Sequence, residues 1–230
     1  MKRIAFFDVD KTIFDGYLAP DILQYLEEND VVQKGHFAAY RQAVEKYKKG
    51  SMDYNGLVRS ALRSFARSIT GKPREEVDIH IRDYFDQSAG IFPWVESVME
   101  FLKDKSVTIN LVSGAPNPAV NMITQYVGGD TYLSTELKEK DGVFTGGVGT
   151  ILDDEGKKQK IMHLIKEYPD IETFGFGDSP GDISMLNLTD HAFVISNPHM
   201  PQMRKIAQQY SFVFIEDPYV LIDYLKEIIT

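Results

Sequence analysis

The chain opens on an unbroken apolar run, Ile4-Ala5-Phe6-Phe7, that stops at Asp8. A run this short and this aromatic predicts a buried strand. From about Asp15 to Gly90 the pattern changes to apolar residues at helical spacing, through Pro20–Glu28, His36–Lys49, Asp53–Ile69 and Pro73–Gln87, with Gly35, Gly50 and Gly71 as breaks. These stretches predict a small helical bundle inserted after the first strand. From Pro93, a first-turn proline, the order returns to helix (Trp94–Lys103) and strand (Val107–Val112). Asn117–Tyr126 reads as helix, Thr131–Ser134 as a short strand, and Leu137–Thr145 as a hairpin turning at Asp141-Gly142. The rest alternates: helix at Lys158–Glu167, strand at Thr173–Phe176, helix at Ile183–Leu188, strand at Ala192–Ile195, helix at Met203–Tyr210 and strand at Phe212–Ile215. Alternating strands and helices imply an α/β fold, a doubly wound, mainly parallel sheet covered on both faces, with the Asp8 strand central. The expected division is an α/β core of residues 1–14 and 91–230 and a small inserted α-helical cap of residues 15–90.

Composition narrows the partners. With 230 residues, 43% of them hydrophobic, the chain can bury one substantial core and a smaller accessory unit. Its formal charge of −9 would repel a polyanion, so nucleic acid is not an expected partner. No apolar run approaches a membrane span, and Met1-Lys2-Arg3-Ile4 leads straight into a strand rather than a signal-peptide core, so a cytoplasmic location is expected. The absence of cysteine excludes disulfides, a thiolate nucleophile and a Cys-ligated zinc site. The five histidines lack metal-ligand spacing.

The candidate chemistry lies in two acidic clusters. Asp8-Val9-Asp10-Lys11-Thr12 follows the first strand, and Gly177-Asp178-Ser179-Pro180-Gly181-Asp182 follows the strand expected at Thr173–Phe176. Ligands of open α/β sheets collect beyond the carboxyl ends of strands, where both clusters fall. Carboxylates packed together repel and hold raised pKa values unless a cation neutralises them, and a hard divalent ion is the natural partner.

Four pieces in this order resemble the motifs of the haloacid dehalogenase superfamily of phosphatases. They are Asp8-Val9-Asp10-Lys11-Thr12, Leu111-Val112-Ser113-Gly114, Lys158, and Gly177-Asp178 with Asp182. Within that superfamily the chain is similar to the phosphoserine-phosphatase-like group, through Gly177 to Met185 and through Asp141-Gly142-Val143-Phe144-Thr145-Gly146. The resemblance implies Asp8 as a nucleophile that forms an aspartyl-phosphate and Asp10 as the acid and base. It implies Mg²⁺ held by Asp8, the Asp10 main-chain carbonyl and Asp178, with Asp182 orienting a metal-bound water. Ser113, Gly114 and Lys158 would bind the phosphate. Lys157 and Lys160 flank Lys158, and charge alone does not separate the three; the resemblance favours Lys158, because Lys160-Ile161-Met162-His163-Leu164-Ile165 best matches the apolar spacing that follows the family's lysine.

Each piece also has an ordinary alternative. An Asp-x-Asp pair or Asp182 can cap a helix, Ser-Gly is a common turn, and a lysine on a helix is usually solvated. The expected activity is hydrolysis of a small phosphorylated metabolite. Alternatives are a mutase-type phosphotransferase and a non-catalytic phosphoester-binding module, while Asp10 and Asp178 argue against a dehalogenase. Choice of substrate would fall to the cap. Tyr17 stands where phosphoserine phosphatases carry a substrate-binding glutamate, which sets phosphoserine in doubt. Tyr17, Arg41, Tyr47, Tyr54, Arg59 and Arg63 are possible contacts, although such residues more often edge cores or face solvent.

Overall fold

A computed structural model describes residues 2–87, 90–168 and 170–229. In chain order the elements are β1 (Lys2–Phe7), α1 (Leu18–Glu28), α2 (His36–Lys48), α3 (Tyr54–Ser68), α4 (Arg74–Gln87), α5 (Trp94–Asp104), β2 (Val107–Pro116), α6 (Asn117–Tyr126), β3 (Thr131–Thr135), β4 (Leu137–Lys140), β5 (Val143–Val148), α7 (Asp154–Lys166), β6 (Ile171–Gly177), α8 (Ile183–Leu186), β7 (His191–Ile195), α9 (Met203–Tyr210), β8 (Val213–Ile215) and α10 (Leu221–Ile228).

Six strands form one sheet in the order β3-β2-β1-β6-β7-β8, and every pairing in it is parallel. The chain builds outward from β1 on one side, then crosses over to build outward from β6 on the other. The β1/β6 boundary is therefore the switch point, where helices diverge and leave a crevice beyond the strand ends. The inner strands place apolar residues on both faces, as Ile4-Ala5-Phe6-Phe7 of β1 does, because both faces are covered. Phe7, Phe176 and Phe193 stack across three adjacent strands on one face, with ring centroids 4.0 and 5.0 Å apart. That face packs against α1, α5, α6 and α10. Ile4, Phe6, Val112 and Val194 point the other way, onto α7, α8 and α9.

The four helices α1–α4 are inserted between β1 and α5. The chain's exit and return run side by side: Asp15 N–H donates to the Gly90 carbonyl at 2.6 Å and Phe92 N–H to that of Ile13 at 3.0 Å. Phe14 fills the space between them, so close to Gly16 and Gly90 that an added Cβ at either would sit under 3 Å from its ring. The β4–β5 hairpin, turning at Asp141-Gly142 with positive φ at both residues, is a separate two-stranded unit that packs beneath α3.

Two boundaries differ from expectation in ways that matter. Helix α7 starts at Asp154, four residues before the expected Lys158, because Asp153 caps it by accepting from Gly156 N–H at 3.0 Å. Helix α10 has no counterpart in the expected elements, although Leu221 and Leu225 are fully buried.

Candidate active site

The site is assembled at the switch point. Phe7 pairs with Leu111 on one side and Phe176 on the other, so the residues just beyond these three reach the same edge of the sheet. Asp8 follows β1 and fixes its N–H to the Phe176 carbonyl at 2.8 Å. Asp178 follows β6, and Ser113 and Gly114 lie near the end of β2. After Asp8 the chain coils tightly, with the Thr12, Ile13 and Phe14 N–H groups all directed at the Val9 carbonyl. Lys11 takes a left-handed backbone, φ 65°, to make that coil.

Asp8, Asp178 and Asp182 each offer a buried carboxylate oxygen, all within 4.8 Å of one another. The lysine that reaches them is Lys157. Its ammonium donates to Asp8 Oδ1 and to Asp182 Oδ1, both at 2.8 Å, and only 7% of the residue is exposed. This corrects the choice of Lys158. The expected helix began one turn too late; with the cap at Asp153, Lys157 falls in the first turn facing the carboxylates, and Lys158 lies about 100° round the axis.

Asp182 has both oxygens engaged. Oδ1 holds Lys157, and Oδ2 accepts from Ser179 Oγ at 2.8 Å and Ser179 N–H at 3.1 Å, closing the Pro180–Asp182 3₁₀ turn. Gly177 makes this closure possible, since a Cβ there would lie 2.6 Å from the Asp182 Cβ. Asp182 is thus the third-position partner of a capping box whose N-cap is Ser179, rather than itself a side-chain N-cap, and it is the anchor of the lysine.

Two polar residues to which the sequence assigned no role complete the cluster. Thr12 Oγ1 donates to Asp178 Oδ1 at 3.0 Å and lies 3.4 Å from Asp8 Oδ2. Asn197, just beyond β7, donates from Nδ2 to Asp178 Oδ2. Thr12 stands inside the first motif, and Asn197 follows an expected strand end; position was the available signal for both.

Ser113 is buried, and its Oγ accepts from Ala115 N–H at 3.1 Å. A Cβ on Gly114 would come within 3.3 Å of the Leu152 carbonyl. Buried Thr135 ties this corner together, donating to the Gly114 carbonyl at 2.7 Å and accepting from Leu152 N–H at 3.0 Å. The segment leading into α7 is thereby held against the end of β2. Asp10 faces the inserted helices, accepting from Leu18 N–H at 2.9 Å.

The electrostatics are those of a cluster with too many carboxylates. Burial, and then the charge of Asp182, push Asp8 well above the usual carboxylate range despite Lys157. Burial raises Asp178 to about 6 and Asp10 to about 7. Burial alone would lower Lys157, but Asp182 and Asp8 outweigh it and keep the ammonium charged. Asp182, in turn, is lowered because Lys157 overcomes its burial. Three carboxylates against one ammonium leave two uncompensated negative charges when all are ionised, and the donors are hard oxygens. The site fits a divalent cation in charge and in donor chemistry.

With the sheet and the carboxylate centre in view, the family is defined: the chain belongs to the haloacid dehalogenase-like hydrolases, whose family profile matches residues 5–187. It is a phosphatase of that family, and its curated relatives include one phosphatase and one probable phosphatase. Among them is the phosphoserine phosphatase of Methanocaldococcus jannaschii, 26% identical over 187 residues that cover 80% of this chain and 81% of the relative. A Bordetella pertussis protein of unknown function has a similar fold, with TM-score 0.78 and 18% identity over 94% of this chain and 99% of the other. So does a phosphoserine phosphatase solved as an analogue of its phospho-aspartyl intermediate, with TM-score 0.63 and 23% identity over 98% of each chain.

Proposed function

We propose that this phosphatase is a Mg²⁺-dependent phosphomonoesterase that hydrolyses a small phosphorylated metabolite through an aspartyl-phosphate on Asp8. The observation that carries this is the buried Asp8, Asp178 and Asp182 cluster with Lys157 as the cation that touches it. Asp8 attacks phosphorus, which divides one difficult displacement into two easier ones. Lys157 holds one Asp8 oxygen in place and offsets charge on the transferring group. Asp10, held near pKa 7 by burial, gives its proton to the departing alkoxide and takes one from the water that later attacks the acyl phosphate. Ser113 and the Gly114 backbone cradle a phosphoryl oxygen. Asp8, the Asp10 carbonyl and Asp178 would hold Mg²⁺, with Thr12 and Asn197 orienting Asp178. When bound, the ion supplies charge neutralisation at the phosphoryl oxygens. Asp182 holds Lys157 and so positions it, alongside any role in orienting water. Residues 15–90 serve as the cap over a core of 1–14 and 91–230.

The test is phosphate release from a panel of small phosphomonoesters, phosphoserine included, by wild type and Asp8→Asn, each with Mg²⁺ or with chelator. Release by wild type in Mg²⁺ alone supports the proposal. Release that persists in chelator or in Asp8→Asn contradicts it.

A further inference from the structure

Helix α3 carries Arg59, Arg63 and Arg67 at four-residue spacing, which puts all three on one face over about 12 Å of helix. All three are exposed. They border two adjoining hollows, of about 310 and 450 Å³. The first has Val148, Gly149 and Ile151 as its far wall, and the second has Ala39 and Met52. Besides the arginines, the first hollow is lined by glycine and aliphatic residues and the second by Ala39, Met52, Gly56 and two serines, so the guanidinium groups are the charged side chains of both.

Arg3 pairs with Glu172, Arg74 with Glu139 and Arg204 with Glu216, whereas among the described residues no carboxylate lies within ion-pair distance of Arg59, Arg63 or Arg67, nor of Arg41 or Arg82; what sets Arg59, Arg63 and Arg67 apart is that they share one helix face. In a chain of net charge −9, three neighbouring cations without a carboxylate partner, all facing open space, call for an anion from outside.

Each hollow is bordered by residues that stand close along the chain to residues of the catalytic centre. Ile151 precedes Leu152 and Asp153, the segment held against Gly114 and continuing into Lys157. At the other end, Met52 and Gly56 flank Tyr54, whose hydroxyl is pushed up by burial and then by the charges of Asp8, Asp10 and Asp182. The scissile phosphate and the arginine face are thus joined through two short stretches of chain.

We infer that the groove along Arg59, Arg63 and Arg67 receives a second phosphate on the leaving-group side of the substrate, so that the preferred substrates are elongated bisphosphorylated esters. Guanidinium forks match phosphate oxygens in pairs, and three of them suit a dianion better than a single carboxylate. The inference rests on the hydrolytic reading above and adds the substrate class.

The probe is a series of linear α,ω-alkanediol bisphosphates of increasing length, each compared with the alkanol monophosphate of equal length. One readout is the bisphosphate-to-monophosphate ratio of kcat/KM. The other is the ratio of affinities measured calorimetrically with Asp8→Asn, which does not depend on turnover. Wild type is expected to favour the bisphosphate by roughly tenfold or more at one preferred length, with the preference weakening in salt. The combined Arg59→Gln, Arg63→Gln and Arg67→Gln substitutions, at exposed positions, should bring both ratios close to one. No preference at any length, or a preference that survives loss of the three arginines, overturns the groove assignment. If wild type hydrolyses no ester while the affinity ratio still depends on the arginines, the groove stands and the hydrolytic reading falls.

Discussion

Lys157 and Lys158 are chemically identical neighbours, and only the phase of the helix separates them. The consequence can be measured. Lys157→Met leaves Asp8 and Asp182 facing each other without their shared cation, and turnover should fall by roughly 100-fold or more. Lys158→Met should stay within about twofold of wild type, as substitutions away from such contacts do. Similar losses from the two would contradict the assignment. Asp10 gives a second test at this scale, through stability. Its folded pKa, about 7, lies above the ordinary 3.8, so between those values the folded state binds more protons than the unfolded one. Stability therefore falls as pH rises through that window, and Asp10→Asn escapes the loss. In chelator, the excess of the variant's Tm over that of wild type should widen between about pH 4 and pH 7 and level off above. An excess independent of pH would mean that Asp10 ionises normally.

At the scale of elements, the sequence made most of the architecture legible because the two periodicities differ so clearly. Apolar runs of inner strands and helical spacing from Pro20 onward mark where sheet and inserted helices lie. The hairpin was readable from Asp141-Gly142, whose left-handed backbone is what that turn requires. Of the candidate site, Asp8 and Asp178 were readable because they stand directly after buried strands, and Asp182 because it closes the second acidic cluster; the structure brings these three together. The start of α7 was misplaced because its apolar spacing is weak in the first turn; the information lay in Asp153, two acidic residues and Gly156, a capping signal rather than a hydrophobic one. Thr12 and Asn197 matter through contacts across the sheet, which a linear pattern does not encode. The α7 cap is itself testable. Asp153→Ala should cost about 1 kcal/mol of stability and should lower turnover, by less than Lys157→Met does, because it loosens the turn that aims the lysine. An equal stability loss without any effect on turnover would separate the cap from the chemistry.

For the molecule as a whole, a sheet grown outward in both directions from β1 and β6 creates one crevice, and the chain has filled it with acids that oppose folding when ionised. A divalent cation should then stabilise the folded state. Saturating Mg²⁺, at 100 times its Kd, is expected to add about 2.7 kcal/mol. Asp178→Asn should raise Tm in chelator, by removing one buried charge, and should lose most of the Mg²⁺-dependent increase. Among the described residues no helix is long and apolar enough to cross a membrane. The central claim, that Asp8 carries the phosphoryl group during turnover, is tested most directly by acid-quenching the enzyme in mid-reaction and mapping its peptides by mass spectrometry. One added phosphoryl group is expected on the Ile4–Lys11 peptide, fragmented to Asp8 and absent from Asp8→Asn. Rapid phosphate release with that peptide unmodified at every quench time, or with the group on another residue, would contradict it.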